Sequence, residues 1–238
     1  MRVLKVRAHQ LFANYRKPLS FGFIDTYPLP PLSTIRGWFH TVVGAKEYIP
    51  LSMCIQGGAE AVVYDLQTLI KFDRKERTKQ GYPLLEGFGK TLSQTPTYVA
   101  NLFDVELTLY ILAPEEHLQV FRENLLTAEY PHIGRYEDVA RIDSVELIEP
   151  EKRSFTPRKA HTIDYGIYLK KETACNCALS GINYRQNFKY EVIKGLRYFT
   201  KVDVVYVDNG RIESGTHLFD REEGKEGRIV ELIGDLPA

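Results

Sequence analysis

The chain has 238 residues, with 31 basic and 31 acidic side chains and a hydrophobic fraction of 44%. This composition is typical of a soluble globular protein, and the zero net charge argues against a free-standing nucleic-acid-binding protein, because such domains are usually basic. The sequence has no apolar run of membrane-spanning length and no signal-peptide core at its N-terminus, so we expect an intracellular protein without membrane contact.

The charges are distributed unevenly along the chain. Residues 1–46 contain seven basic side chains and one acidic side chain, whereas residues 201–238 contain five basic and nine acidic ones. This polarity suits a subunit that places one face on a polyanion and another on protein. Chance clustering of charges is the alternative.

No metal or cofactor site is predicted. The cysteines Cys54, Cys175 and Cys177 lack the spacing of a zinc half-site, and no pair of the six histidines has a metal-ligand spacing. We therefore interpret the cysteines as structural residues in a reducing compartment.

The first elements in chain order are a strand and a helix. Apolar and polar residues alternate from Leu4 to His9, which predicts a strand with one buried face. After the proline-rich residues 28–31, the spacing predicts a helix over 33–43, with Ser33 as its N-cap and Gly44 at its end.

The predicted helix has two distinct faces. Its apolar face contains Ile35, Trp38, Phe39, Val42 and Val43. Arg36 and His40 are predicted on the other face, with Gly37 between them. The N-terminus of a helix favours anions, so Ser33 and Thr34, together with the basic Arg16, Lys17 and Arg36, are candidates for a phosphate site. A well-capped buried helix with no ligand is the alternative.

Four further elements follow this helix. Residues 61–72 and 105–111 are predicted strands, Pro114 opens a second helix, and residues 141–148 form another strand. The order β-α-β-β-α-β is that of the ferredoxin-like (RRM-like) arrangement, so we expect an α+β fold with this domain at residues 1–150. Short alternating runs predict a β-rich subdomain at residues 151–238, packed on the first.

A long excursion lies between the second and third predicted strands, at about residues 73–98. It is rich in glycine, aromatic residues and the basic residues Arg74, Lys75, Arg77, Lys79 and Lys90. Basic residues interleaved with aromatics suit an arm that follows a phosphate backbone and touches bases. A solvated loop is the alternative.

Two stretches resemble a known family. The first contains Asn14-Tyr15-Arg16, the run from Tyr27 to Pro31, Ser33-Thr34, and Gly37 with His40; the second is His132-Ile133-Gly134-Arg135-Tyr136-Glu137-Asp138. Both are similar to segments of CRISPR-associated protein five, in the repeat-associated mysterious protein superfamily, and in particular to its type I-B-like branch. The resemblance covers about the first 150 residues.

The resemblance implies a fold and a function. It implies the ferredoxin-like domain, a protruding β-hairpin thumb near residues 73–98, and a non-catalytic subunit of a type I CRISPR surveillance complex (Cascade) in the prokaryotic cytoplasm, acting in antiviral defence. That subunit would cap the 5′ repeat-derived handle of the crRNA and contact the backbone and large subunits, and it would meet target DNA only through the complex. The predicted RNA-binding residues are Asn14, Tyr15, Arg16, Lys17, Ser33, Thr34, Arg36, Gly37, His40, Arg74, Lys75, Arg77, Lys79, Gly134 and Arg135.

Alternatives remain open for the role of Arg135 and for the function, where a structural adaptor with contacts only to protein is one of them. Arg135 follows a glycine suited to a close approach by a ligand, but Glu137 and Asp138 are near enough in sequence to pair with it instead. Some relatives in the superfamily cut repeat RNA without a metal ion, and His40 is the best single candidate for that chemistry. We assign no catalytic residue and keep a repeat-processing endoribonuclease as the alternative function.

Overall fold

The computed structural model describes residues 1–18, 22–72, 84–85, 90–129, 131–221 and 227–237. The first part contains β1 (Val3–Ala13), β2 (Phe23–Ile24), α1 (Leu32–Val43), β3 (Ser52–Phe72), β4 (Leu84–Leu85), β5 (Lys90–Leu112), α2 (Glu115–Leu126) and β6 (Arg141–Ile148). The rest contains β7 (Glu151–Ser154), β8 (His161–Ile163), β9 (Gly166–Lys170), α3 (Lys171–Asn176), β10 (Ile182–Ile193), β11 (Leu196–Val207), β12 (Gly210–Ile212), β13 (Thr216–Asp220), β14 (Arg228–Ile229) and β15 (Ile233–Gly234).

One large sheet organises this mixed α/β molecule. Its strand order is β10-β11-β9-β3-β5-β1-β6, with β2 and β4 added to β5 and β15 added to β3. Strands from the C-terminal part therefore continue the sheet of the N-terminal part, and β9 joins β3 at Gln56 and Gly57. Two small sheets, β12-β8 and β14-β13-β7, complete the described strands.

The long hairpin of β3 and β5 corrects one boundary of the predicted excursion. The two strands pair residue by residue from Ser52 opposite Leu112 to Ala59 opposite Val105. The pairing continues in the same register from Ala61 opposite Phe103 to Phe72 opposite Leu92. Residues 90–98 are thus strand, not part of a loop that starts at residue 73. Arg74, Lys75, Arg77 and Lys79 lie outside the described residues, so their predicted RNA contacts stay predictions.

Helix α1 forms where its spacing predicts, but its N-terminal cap differs. The helix begins at Leu32 and Pro31 occupies the N-cap position without a side-chain hydrogen bond, so the prediction of Ser33 as N-cap is wrong. The Leu32 N–H donates to Gln186 Oε1 of β10 at 3.1 Å, a partner 154 residues away in sequence. Gly44 ends the helix in the left-handed conformation (φ 70°), as predicted.

The two longer helices pack together through aromatic rings. Phe39 of α1 stacks on Phe121 of α2 with ring centroids 4.9 Å apart, and Trp38 meets the same ring edge-on at 5.0 Å. The predicted apolar face is therefore the one that is buried. Within the described ranges, no helix is both long and apolar enough to cross a membrane.

Candidate nucleic-acid interface

A cleft of 430 Å³ lies between α1 and the segment that follows α2. Its lining residues come from the first three turns of α1 and from both sides of residue 130: Ser33, Thr34, Gly37, Trp38, Thr41, Val42, Ala128, Pro131, His132 and Gly134. We call this the α1 cleft. The two stretches that carry the family resemblance therefore meet along one surface.

The α1 side of the cleft presents small polar groups. Ser33 and Thr34 are half-buried, and Gly37 is exposed. A Cβ at Gly37 would meet no atom within 4 Å, so the helix backbone is open to a ligand at this point. The predicted anion site at the helix terminus has fewer free donors than expected, however. The Leu32 N–H donates to Gln186, and the Thr34 and Ile35 N–H groups donate to Pro31 O.

The opposite side of the cleft is organised by Asp138. Gly134 has φ +110°, a positive value of the kind that a glycine at this position allows. A Cβ there would lie 2.8 Å from Asp138 Oδ2. The Arg135 N–H donates to the same carboxylate oxygen at 2.9 Å. The glycine is thus required because the loop folds tightly around a buried carboxylate.

Arg135 adopts the internal salt bridge that the sequence left as an alternative. Its Nη2 lies 2.7 Å from Asp138 Oδ1 and donates to Asn101 Oδ1 at 3.1 Å, while Nη1 lies 3.2 Å from Glu137 Oε1. Burial alone would lower the pKa of Arg135, but the hydrogen bond and charge of Asp138 raise it. The side chain is 27% exposed, so the guanidinium is mainly part of the scaffold.

Asn14 and Tyr15 are also buried beneath this loop. The Asn14 N–H donates to Asp138 Oδ2 at 3.3 Å, and its Nδ2 donates to Ala100 O at 2.5 Å. Tyr15 OH donates to Gln10 Oε1 at 2.5 Å, and burial raises the pKa of this phenol. Gln10 Nε2 in turn donates to Ile133 O at 3.0 Å and to Asp138 O at 2.7 Å. The predicted RNA contacts of the Asn14 and Tyr15 side chains do not fit this burial.

Arg36 is predicted on the face of α1 other than the apolar one, and the structure buries it there against the C-terminal part of the chain. The residue is 7% exposed, and its Nη2 donates to Asp235 Oδ2 at 3.2 Å. Its guanidinium also donates to Tyr48 OH and lies 3.7 Å from the centroid of the Phe188 ring. These partners bind α1 to β10 and to the C-terminal residues.

Both ring nitrogens of His40 are hydrogen-bonded. Nδ1 donates to Arg36 O at 2.8 Å, which assigns the proton to that nitrogen, and Nε2 accepts the Ile49 N–H at 3.0 Å. Burial lowers the pKa of His40. A proton-transfer role would require one of these bonds to break, so the geometry favours a structural histidine that fixes the chain after α1.

The remaining basic candidates, Arg16 and Lys17, follow the buried Asn14 and Tyr15 in the chain and lie at the surface. Arg16 is exposed and its backbone forms a bridge with Thr26. Lys17 pairs with Asp25 at 2.8 Å and lies 5.9 Å from the centroid of the Tyr184 ring. Arg16 is therefore the better placed of the two for a phosphate.

Tyr136 is a candidate that the sequence reasoning missed. It is 88% exposed, and its ring centroid lies 5.0 Å from that of His132, which lines the α1 cleft. Proteins that bind single-stranded RNA stack unpaired bases on exposed aromatic rings, so Tyr136 is a candidate for this role. Only its exposure identifies it, because the motif alone does not distinguish a buried tyrosine from an exposed one.

Comparison with known families decides what kind of protein this is. Residues 3–166 match the family described as CRISPR-associated protein (Cas_Cas5). The chain belongs to this family. A search of curated proteins found no match.

Solved structures are similar to this Cas_Cas5 chain over most of its length. A chain of a "CRISPR RNA-guided surveillance complex" has a TM-score of 0.57 at 16% identity, covering 90% of this chain and 93% of that one. A Cas protein crystal structure has a TM-score of 0.45 at 11% identity, covering 89% and 95%. A CRISPR protein from Archaeoglobus fulgidus has a TM-score of 0.45 at 9% identity, covering 97% and 99%. The first of these shares its fold with this member of the family.

The residues that carry the family resemblance therefore divide into two groups in this Cas_Cas5 chain. Asn14, Tyr15, Arg36, His40 and Arg135 are bound within the protein. The surface groups are Ser33, Thr34, Gly37 and His132, which line the α1 cleft, Tyr136, whose ring lies beside His132, and Arg16, which follows the buried Asn14 and Tyr15 in the chain.

Proposed function

We propose that this chain is a non-catalytic crRNA-binding subunit of a type I CRISPR Cascade surveillance complex, and that the α1 cleft holds the repeat-derived 5′ handle. Family membership supports the setting. The observation that carries the site is the meeting of both family stretches at one open cleft, held together by the Asp138 carboxylate. The type I-B-like subtype stays a prediction from the sequence of residues 14–44.

The α1 cleft has the features that an unpaired nucleotide needs. The exposed backbone at Gly37 allows a close approach, and the Tyr136 ring offers a stacking surface. The exposed Arg16 supplies positive charge for a phosphate. Because the chain has no net charge, we expect weak binding by the free subunit and tight binding only when neighbouring subunits contact the same RNA.

The wider architecture fits the same role. The strand order β3-β5-β1-β6, with α1 between β1 and β3 and α2 between β5 and β6, supports the finer description of this region as ferredoxin-like. The long β3–β5 hairpin is suited to the thumb that would contact the backbone subunit and the RNA, and the large subunit would meet another face. Target DNA would be reached through the complex.

Ribonuclease activity is the less favoured alternative. His40 has no free ring nitrogen, which weakens the single catalytic candidate. We expect RNA of the host's CRISPR repeat sequence to remain intact with this chain, with or without a chelator. Cleavage that is lost in His40→Ala would instead favour the enzyme.

Binding of a synthetic repeat RNA at stated salt tests the proposed site. Tyr136→Ala should weaken binding about five- to 150-fold, since losing one base-stacking ring costs about 1–3 kcal/mol. Arg16→Ala should weaken it and flatten its dependence on salt. Tyr198→Ala removes an exposed tyrosine on β11, away from the α1 cleft, and should leave the affinity of the free chain for this RNA unchanged. Equal affinity for all three variants would reject the α1 cleft.

A further inference from the structure

The ends of β10 and β11 form a two-stranded ribbon that extends beyond the rest of the sheet. Residues 190–201, which we call the distal ribbon, are all exposed. β9 pairs with β11 only from Val204 to Val207, so among the described residues no third strand flanks the distal ribbon. Its side chains therefore have only each other as partners over most of their surface.

The ribbon is closed by a turn that fixes its shape. Lys194 and Gly195 connect the strands with φ 51° and φ 75°, and Ile193 pairs directly with Leu196. Positive φ at both central residues is the signature of the type I′ turn, whose twist matches that of a hairpin. The tip is thus preorganised by local sequence, which lowers the entropy lost when it binds a partner.

Both faces of the distal ribbon are apolar. Cross-strand pairing places Tyr190, Val192 and Phe199 on one face and Ile193, Leu196 and Tyr198 on the other. Each of these six side chains is between 43% and 63% exposed. Single exposed apolar residues are ordinary, but six of them within twelve residues form the kind of patch that marks an interaction site.

The charges on the ribbon indicate the polarity of its partner. Lys194, Arg197 and Lys201 are basic and Glu191 is the one acidic residue between positions 190 and 201. Arg197 lies 4.6 Å from the centroid of the Tyr190 ring, so part of the positive charge lies over the apolar face. A complementary surface would be apolar at its centre and acidic at its rim.

A protein fits these features better than a nucleic acid. Next to the Lys194-Gly195 turn lie the aliphatic Val192, Ile193 and Leu196, which offer no ring on which a base can stack. The Tyr190 ring already has partners, because Phe199 lies 5.5 Å from it and Arg197 lies 4.6 Å from it. We propose that the distal ribbon inserts into an apolar, acid-rimmed groove of a different protein subunit in the assembly. This inference rests on the proposed function, because it takes the partner from the same complex.

The test uses the full chain, tagged and purified from cells of its natural host together with the proteins and RNA that assemble on it. The variant Ile193→Ser/Leu196→Ser should lower the recovery of one protein subunit about tenfold or more relative to the tagged chain. Lys194→Glu/Arg197→Glu should lower recovery of the same subunit. The control Val120→Ser/Leu126→Ser changes two exposed apolar residues of α2 and should leave recovery unchanged. The thermal midpoints of the free variants verify that each still folds.

Zero-length carbodiimide crosslinking supplies the second readout. It should join Lys194 or Lys201 to an aspartate or glutamate of the subunit that the variant loses. Undiminished recovery of every subunit would overturn the proposal, as would loss of RNA with all proteins retained, or crosslinks only to a second copy of this chain. A wild-type assembly that contains the partner protein but no RNA would reject the proposed function while leaving the ribbon interface standing.

Discussion

The guanidinium of Arg135 lies 2.7 Å from the carboxylate of Asp138, and the Asp138 side chain is 1% exposed. The same carboxylate accepts the backbone N–H of Asn14, so it joins the end of β1 to the loop after α2. Asn14 and Asp138, 124 residues apart in sequence, therefore bring the two motifs into one structural unit, and the cleft that we propose for RNA depends on it.

Arg135→Ala should destabilise the fold, in contrast to the small effect expected for a residue that contacts only RNA. The change leaves a buried carboxylate with two backbone donors but no cation, so the free energy of unfolding should fall by about 1–3 kcal/mol. Urea denaturation measures this loss. Arg141→Ala is the matched control, because its pair with Asp143 is exposed to solvent and should contribute little to stability. Equal, small losses in both variants would show that Arg135 is not part of the scaffold.

The buried ion pair of Lys5 and Asp220 should cost more stability when one partner is replaced than when both are replaced. Lys5 Nζ lies 2.5 Å from Asp220 Oδ2, both side chains are buried, and Tyr110 OH donates to the same oxygen at 2.9 Å. Lys5→Met leaves the Asp220 carboxylate buried without a cation and should lower the free energy of unfolding by about 3–5 kcal/mol. The double variant Lys5→Met/Asp220→Leu removes the unpaired charge and should recover most of that loss. A double variant no more stable than the single one, in the same urea titration, would contradict this account.

The sequence predicts local elements well and their long-range partners poorly. The spacing of Ile35, Trp38 and Phe39 identifies the buried face of α1, because helical periodicity is a local property. The burial of Arg36 is not predicted because its partner Asp235 is 199 residues away, a contact that no pattern in the helix reveals. The cap of α1 fails as a prediction for the same reason, since its acceptor belongs to Gln186.

The strand ends show a second limit. β3 begins at Ser52 and β5 at Lys90, ahead of the strands predicted over 61–72 and 105–111. Residues 52–57 of β3 and 99–102 of β5 are buried without a break, so apolar and polar residues need not alternate there. The Lys194-Gly195 turn is also a local signal that the sequence reasoning passed over. For the candidate site, the sequence identifies the two segments correctly, but only burial separates the exposed Tyr136 from the buried Asn14 and Tyr15.

His40 should make stability depend on pH near neutrality. Burial lowers its pKa from the ordinary value of 6.5, so the unfolded chain binds this proton more readily than the folded one. The stability contributed by neutral His40 is therefore fully present above about pH 7 and is lost as the pH falls through the unfolded pKa towards the folded one. Urea unfolding from about pH 7.5 to 5 should show a steeper decline for the wild type than for His40→Gln, which can keep one donor and one acceptor without titrating. Parallel declines would exclude His40 as the source.

Gly37→Ala and Gly37→Gln should separate the contribution of this position to stability from its contribution to RNA affinity. Gly37 lies inside the helix with open space where a Cβ would be, so alanine should raise the free energy of unfolding by about 0.5–1 kcal/mol. Glutamine also favours a helix, but its side chain would occupy the approach to the α1 cleft and should lower affinity for the synthetic repeat RNA about tenfold. Gly44→Ala is the control: at φ 70° the new side chain is strained, so stability should fall by about 1 kcal/mol while RNA affinity is retained. If Gly37→Gln folds stably and binds the repeat RNA as tightly as the wild type, RNA does not approach α1 at this position.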